Sequence, residues 1–80
     1  MLRVRYWAGA REAAGTSSEL VPAGSYGSVR AELLRRHGDR MTRLLEISTL
    51  LLDGSRLDKT TDPQLPDDAV LEVLPPFAGG

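Results

Sequence analysis

Val70-Leu71-Glu72-Val73-Leu74-Pro75-Pro76-Phe77-Ala78-Gly79-Gly80 is the stretch on which the reading of this chain turns. It opens as a strand, with branched and leucine side chains alternating around Glu72 in the period-two pattern of a half-buried ladder. Pro75-Pro76 stop that strand, because proline has no N–H to give a ladder and holds φ near −65°. A short arm follows, ending in two residues without side chains. At a glycine usage of about 7%, a random chain ends Gly-Gly only about once in 200. No polar spacer of the linker type separates the arm from the strand. The expectation is therefore that the α-carboxylate of Gly80 is the working group. A bare carboxylate is a poor electrophile, so another protein has to activate it. Glycine permits the close backbone approach that threading into a narrow site demands.

Working outward, 80 residues make one small domain that buries only about 60–65% of its extended surface. With no cysteine, neither disulfides nor a thiolate metal site can staple it. His37 is the single histidine, too few for a zinc or His-based catalytic constellation, and reads as a surface or helix-end residue. Ten basic and eleven acidic residues give a formal net charge of −1, which disfavours nucleic acid as a partner. No apolar run reaches the length of a membrane span, and the start shows no signal-peptide core. A cytoplasmic location is expected.

Leu2-Arg3-Val4-Arg5-Tyr6-Trp7-Ala8 alternates strictly, predicting a strand with Leu2, Val4, Tyr6 and Ala8 inward and Arg3, Arg5 and Trp7 outward. Residues 10–14 suit a short helix that Gly15 ends as a C-cap. Ser18-Glu19-Leu20-Val21 predicts a second strand, paired with the first. Residues 23–27 read as loop, and Ser28 as the N-cap of a helix from Val29 to His37, with Gly38 at its end. A second helical stretch spans 39–45. Arg30, Arg35, Arg36, Arg40 and Arg43 form a solvated face in this reading. Residues 48–52 predict a buried strand, Asp53-Gly54 a tight hairpin turn and 55–57 its return. Residues 58–68 read as a long loop with one turn, in which Lys59 is solvated. The sum is an α+β roll, a mixed sheet of about five strands with one main helix across one face. Its first and last strands are the most hydrophobic and would sit centrally if they run parallel and adjacent, as they do in ubiquitin-like β-grasp folds. Residues 1–76 are the single domain and 77–80 a flexible tail.

Two separated segments add a resemblance. Tyr6-Trp7-Ala8-Gly9-Ala10-Arg11-Glu12-Ala13-Ala14-Gly15 resembles the aromatic-Ala-x-x-Arg-Glu-x-x-Gly signature of the small subunit of molybdopterin synthase. Leu74-Pro75-Pro76-Phe77-Ala78-Gly79-Gly80 is similar to that family's Pro-Pro-x-x-Gly-Gly ending. The thiamine-pathway sulfur carrier shares the Gly-Gly terminus but typically lacks the Arg-Glu segment and the double proline. Tyr6 and Trp7 stand where the family commonly carries phenylalanines. The resemblance implies that an adenylating, ubiquitin-activating-like enzyme uses ATP to join the Gly80 carboxylate to AMP. A persulfide donor then displaces AMP and leaves a thiocarboxylate. The large subunit of the synthase receives the tail, and sulfur passes to cyclic pyranopterin monophosphate. The chain itself would bind no cofactor or metal and carry no catalytic side chain.

The site residues follow from this. Gly80 is the reacting end, and Phe77, Ala78 and Gly79 are threaded with it. Leu71 and Val73 are expected in the core. Trp7 and Leu74, with Pro75 and Pro76, form the partner interface, an exposed apolar patch on adjacent central strands. The alternative for Trp7 is shielding by Arg5 through cation–π stacking. Arg11, Glu12 and Gly15 fix the first turn after the strand. Competing functions are a carrier serving thiamine, cysteine or another thiolated metabolite, a ubiquitin-like protein modifier, and a non-covalent interaction domain.

Overall fold

The computed structural model describes residues 1–76. The elements run β1 (Leu2–Tyr6), α1 (Gly9–Ala14), β2 (Ser18–Val21), β3 (Gly24–Ser25), α2 (Tyr26–His37), α3 (Asp39–Ile47), β4 (Thr49–Leu52), β5 (Ser55–Arg56), a 3-10 turn (Lys59–Thr61), β6 (Gln64–Leu65) and β7 (Val70–Leu74). Five strands form a mixed sheet in the order β2-β1-β7-β4-β5, and β3 and β6 make a separate two-stranded ladder. The first and last long strands are neighbours and parallel, with Val4 opposite Leu71 and Tyr6 opposite Val73. Every other pairing is antiparallel.

Period-two alternation decides which side of the sheet is covered. Leu2, Val4 and Tyr6 of β1, Leu50 of β4, and Leu71 and Val73 of β7 all point to one face and are at most 1% exposed. Against them pack Val29 and Leu33 of α2 and Met41 and Leu45 of α3, equally buried. At roughly 1.5–3 kcal/mol per fully buried large aliphatic side chain, this layer is the main favourable term in a chain without covalent staples. The turn after β4 is the one foreseen. Asp53 and Gly54 both have positive φ, 47° and 85°, which a two-residue hairpin needs to match strand twist. Gly15 ends α1 at φ 73°, its N–H donating to the Arg11 carbonyl.

Several boundaries differ from the expectation. β1 ends at Tyr6, and Ala8 is exposed rather than inward. Its φ of 49° breaks the alternation, because the chain must turn there into α1. The N-cap of α2 is Ser25, not Ser28. The Ser25 side chain accepts from the Ser28 N–H at 3.1 Å while the Ser28 hydroxyl donates back to the Ser25 carbonyl at 2.8 Å. Ser28 thus sits three residues inside the helix, where a capping box has its return partner. Residues 23–27 and 58–68 are less irregular than they read. Each contributes a strand of the β3–β6 ladder, and Tyr26 N–H donates to the Pro63 carbonyl at 2.8 Å. Two-residue strands carry too little alternation to show in a sequence.

Candidate functional site

The opposite face of the sheet has no layer over it among the described residues. On it stand Leu20 of β2, Arg3 and Arg5 of β1, Val70, Glu72 and Leu74 of β7, Thr49 and Leu51 of β4 and Arg56 of β5, neighbours through the strand registers. Leu20 is 45% exposed and Trp7, just past β1, is 37% exposed. Val70, Leu51 and Leu74 are half-buried.

Trp7 is both partly exposed and in contact with Arg5. Its backbone N–H donates to the Val73 carbonyl at 3.2 Å, extending the parallel ladder by one step. The indole Nε1–H donates to Glu72 Oε2 at 3.0 Å. The Arg5 guanidinium lies 5.3 Å from the ring centroid, within cation–π range. The ring is thereby held in one orientation while over a third of the residue stays open to solvent. Arg3, Arg5 and Arg56 have no acidic partner within ion-pair distance among the described residues. An apolar strip bordered by guanidinium groups without acidic partners among the described residues is what results.

β7 ends at this patch. Thr49 faces Leu74, after which the strand ends and Pro75 (half-buried) and Pro76 (exposed) follow. Phe77, Ala78, Gly79 and Gly80 lie outside the described residues. Arg11 and Glu12 are exposed on α1. Their side chains make no hydrogen bond or ion pair among the described residues, while the Arg11 backbone anchors the turn by donating to the Ala8 carbonyl and accepting from Gly15. The described residues contain no group of three His, Asp or Glu side chains placed to hold a metal ion. None of their helices is long and apolar enough to cross a membrane.

No protein-family model matches the chain, and no curated protein does. Solved structures do. The complex of subunits 1 and 2 of molybdopterin-converting factor from Helicobacter pylori matches at TM-score 0.72 and 23% identity, over 99% of this chain and 97% of that one. A putative molybdopterin converting factor subunit 1 from Pyrococcus furiosus matches at 0.77 and 23%, over 95% and 97%. The small archaeal modifier protein 1 from Methanosarcina acetivorans matches at 0.78 and 21%, over 99% and 95%. The fold is the ubiquitin-like β-grasp.

In this β-grasp domain, sequence reasoning missed one polar cluster. Glu19 sits on the covered side of β2, opposite Val4. Its Oε2 accepts from the Tyr6 hydroxyl and from His37 Nε2, and its Oε1 accepts from Arg36 Nη1 at 3.0 Å. Arg36 also donates to the Leu20 carbonyl at the sheet edge and to Glu32. Burial works to raise the Glu19 carboxyl, but hydrogen bonds from Tyr6, His37 and Arg36 outweigh it and hold the group below its ordinary value. Burial, then the Glu19 carboxylate, pushes the Tyr6 phenol well up. The cluster clamps the α2 C-terminus to β2, so His37 is a half-buried strut as well as a helix-end residue. Period two, counted back from Val21, already turned Glu19 inward.

Proposed function

We propose that this chain is a sulfur carrier and the small subunit of a molybdopterin synthase. The observation that carries the reading is the exit of β7 through Pro75-Pro76 at the rim of the uncovered Trp7–Leu74 patch. A partner seated on that patch receives whatever the tail bears. Likeness to two structures of molybdopterin-converting factor subunit 1, one of them putative and the other in complex with subunit 2, supports the large subunit as that partner. The Pro-Pro-x-x-Gly-Gly ending supports Gly80 as the reacting residue, with Phe77, Ala78 and Gly79 threaded into the partner.

In this reading the Gly80 carboxylate attacks the α-phosphorus of ATP on a separate adenylating enzyme, releasing pyrophosphate. The resulting acyl-adenylate has the leaving group that a carboxylate lacks. A persulfide sulfur displaces AMP, and a thiol reductant cleaves the acyl disulfide to leave the thiocarboxylate. Sulfur then passes to cyclic pyranopterin monophosphate in the large subunit. The domain contributes presentation and docking, with no catalytic side chain, and works in the cytoplasm. Its cysteine-free sequence supplies no thiol of its own, so the thiol-type sulfur in this reading is the one loaded onto Gly80.

The test combines the chain with purified large subunit, adenylating enzyme, ATP, a persulfide donor and cyclic pyranopterin monophosphate. Molybdopterin formation that requires the loaded chain is expected. Loading of Gly80 without sulfur transfer to that acceptor would redirect the reading to a carrier for thiamine, cysteine or another thiolated metabolite. A second reading, a protein modifier joined through Gly80 to target lysines, is favoured by the likeness to the small archaeal modifier protein. Amide-linked adducts to other proteins would be its signature.

A further inference from the structure

Lys59 is the only lysine in the sequence, and its ammonium group is fully engaged. Nζ donates to the carbonyl oxygens of Leu45 at 2.8 Å, Glu46 at 2.9 Å and Ser48 at 2.9 Å. These carbonyls close the last turn of α3 and the corner leading into β4, where a helix runs out of intrahelical donors and its dipole is negative. An ammonium has three hydrogens, and here each has its own acceptor. Asp58 fixes the backbone from which Lys59 reaches, accepting from the Thr60 N–H at 2.9 Å and from the Thr60 hydroxyl. The side chain is half-buried and lines a cleft of about 490 Å³ between the α3–β4 corner and residues 56–60. Reagents can approach it, so hydrogen bonding is what restrains it.

We infer that Lys59 is a closed amine, which makes the chain a donor of its activated terminus and not an acceptor: copies do not become linked through Lys59. Donation rests on the function proposed above; closure of the amine does not. Acylation needs a nitrogen lone pair. The amine attacks the acyl carbon, a C–N bond forms, the C–O bond to AMP breaks with its electron pair leaving on AMP, and the amine's proton passes to water. Lys59 must first lose a proton, together with the charge-assisted hydrogen bond that proton makes, and then swing clear of two more carbonyls. An exposed lysine also gives up a proton, but it breaks only bonds to water and has no carbonyls to swing clear of. The only amine side chain of a protein that carries a reactive acyl end is thus kept from consuming that end.

The experiment uses the full chain carrying Arg43→Lys as an internal reference. Position 43 is exposed on α3, and its side chain has no hydrogen bond or ion pair among the described residues. Acetylation by N-hydroxysuccinimide acetate is followed residue by residue by peptide mass spectrometry. Position 59 should react at least about tenfold more slowly than position 43 in the native chain, as loss of one charge-assisted bond implies, and at a similar rate in concentrated urea. Equal native rates would overturn the inference. In a second arm, ATP and an adenylating enzyme are added to the unmodified chain. No Gly80–Lys59 linked peptide is expected, and finding one would overturn the inference while leaving adenylation standing. Failure to form the adenylate would instead strike the proposed function, and the acetylation ratio would still decide the closure of Lys59.

Discussion

Replacing Glu19 by alanine removes the acceptor on which three side chains converge. Tyr6 is 1% exposed and the His37 side chain 12%, so their donors cannot recover a full water shell. Arg36 is more open, at 29%, and keeps Glu32 and the Leu20 carbonyl, so it contributes little to the loss. A buried donor left without its acceptor costs about 1–3 kcal/mol; with about 1–2 for Tyr6 and about 1 for the part-exposed His37, the variant lies about 2–3 kcal/mol below the parent. For a domain of this size that corresponds to a fall in Tm of roughly 10–20 °C. Urea and thermal unfolding followed by circular dichroism measure it. A loss below about 0.5 kcal/mol, the range of ordinary surface changes, would refute the strut. The pH dependence has a definite sign. The folded-state carboxyl of Glu19 titrates below its ordinary value of 4.5, so its contribution is complete above that value and disappears as pH falls through the depressed one. Between about pH 5 and pH 3 the parent should therefore lose more stability than Glu19→Gln, which has no such proton to take up. Parallel curves for the two proteins would contradict the assignment.

Trp7→Arg should weaken binding to the purified large subunit at least about tenfold, as loss of an interface anchor does, with a stability change under about 1 kcal/mol because the ring is partly exposed; calorimetry and a melting curve separate the two. Ser25→Ala should cost about 1 kcal/mol by removing the α2 cap, and Ser28→Ala distinctly less. The reverse order in urea titrations would return the cap to Ser28. Lys59→Met should lower Tm by removing three hydrogen bonds at the α3 C-terminus, and an unchanged Tm would mean that they add nothing to stability.

How far the sequence discloses this structure depends on the length of each signal. β1 and β7 each alternate over five residues, enough to place Leu2, Val4, Leu71 and Val73 in the core and to set Trp7 beside Leu74. Asp53-Gly54 named its own turn because a positive φ at two successive positions has few other solutions. β3 and β6 were hidden, since two residues cannot establish a period and the ladder depends on Tyr26 and Pro63 meeting across the chain. Ser28 looked like the better cap because Val29 begins the apolar stripe. Tyr26 and Gly27 carry the helix one turn further upstream, held there by Asp62, whose carboxylate accepts from the Gly27 N–H at 2.7 Å. Lys59 read as solvated because its three acceptors are backbone carbonyls, which no side-chain pattern advertises. The patch was legible in outline, whereas the joint hold of Arg5 and Glu72 on Trp7 required the register of two strands 65 residues apart.

Intact-mass spectrometry of the chain after incubation with ATP, the adenylating enzyme and a persulfide donor tests the central claim most directly. Exchange of one oxygen for sulfur, located at Gly80 by fragmentation and absent when Gly80 is deleted from an otherwise folded chain, is the predicted result. Sulfur loading that survives the deletion, or that maps to any other residue, would contradict it.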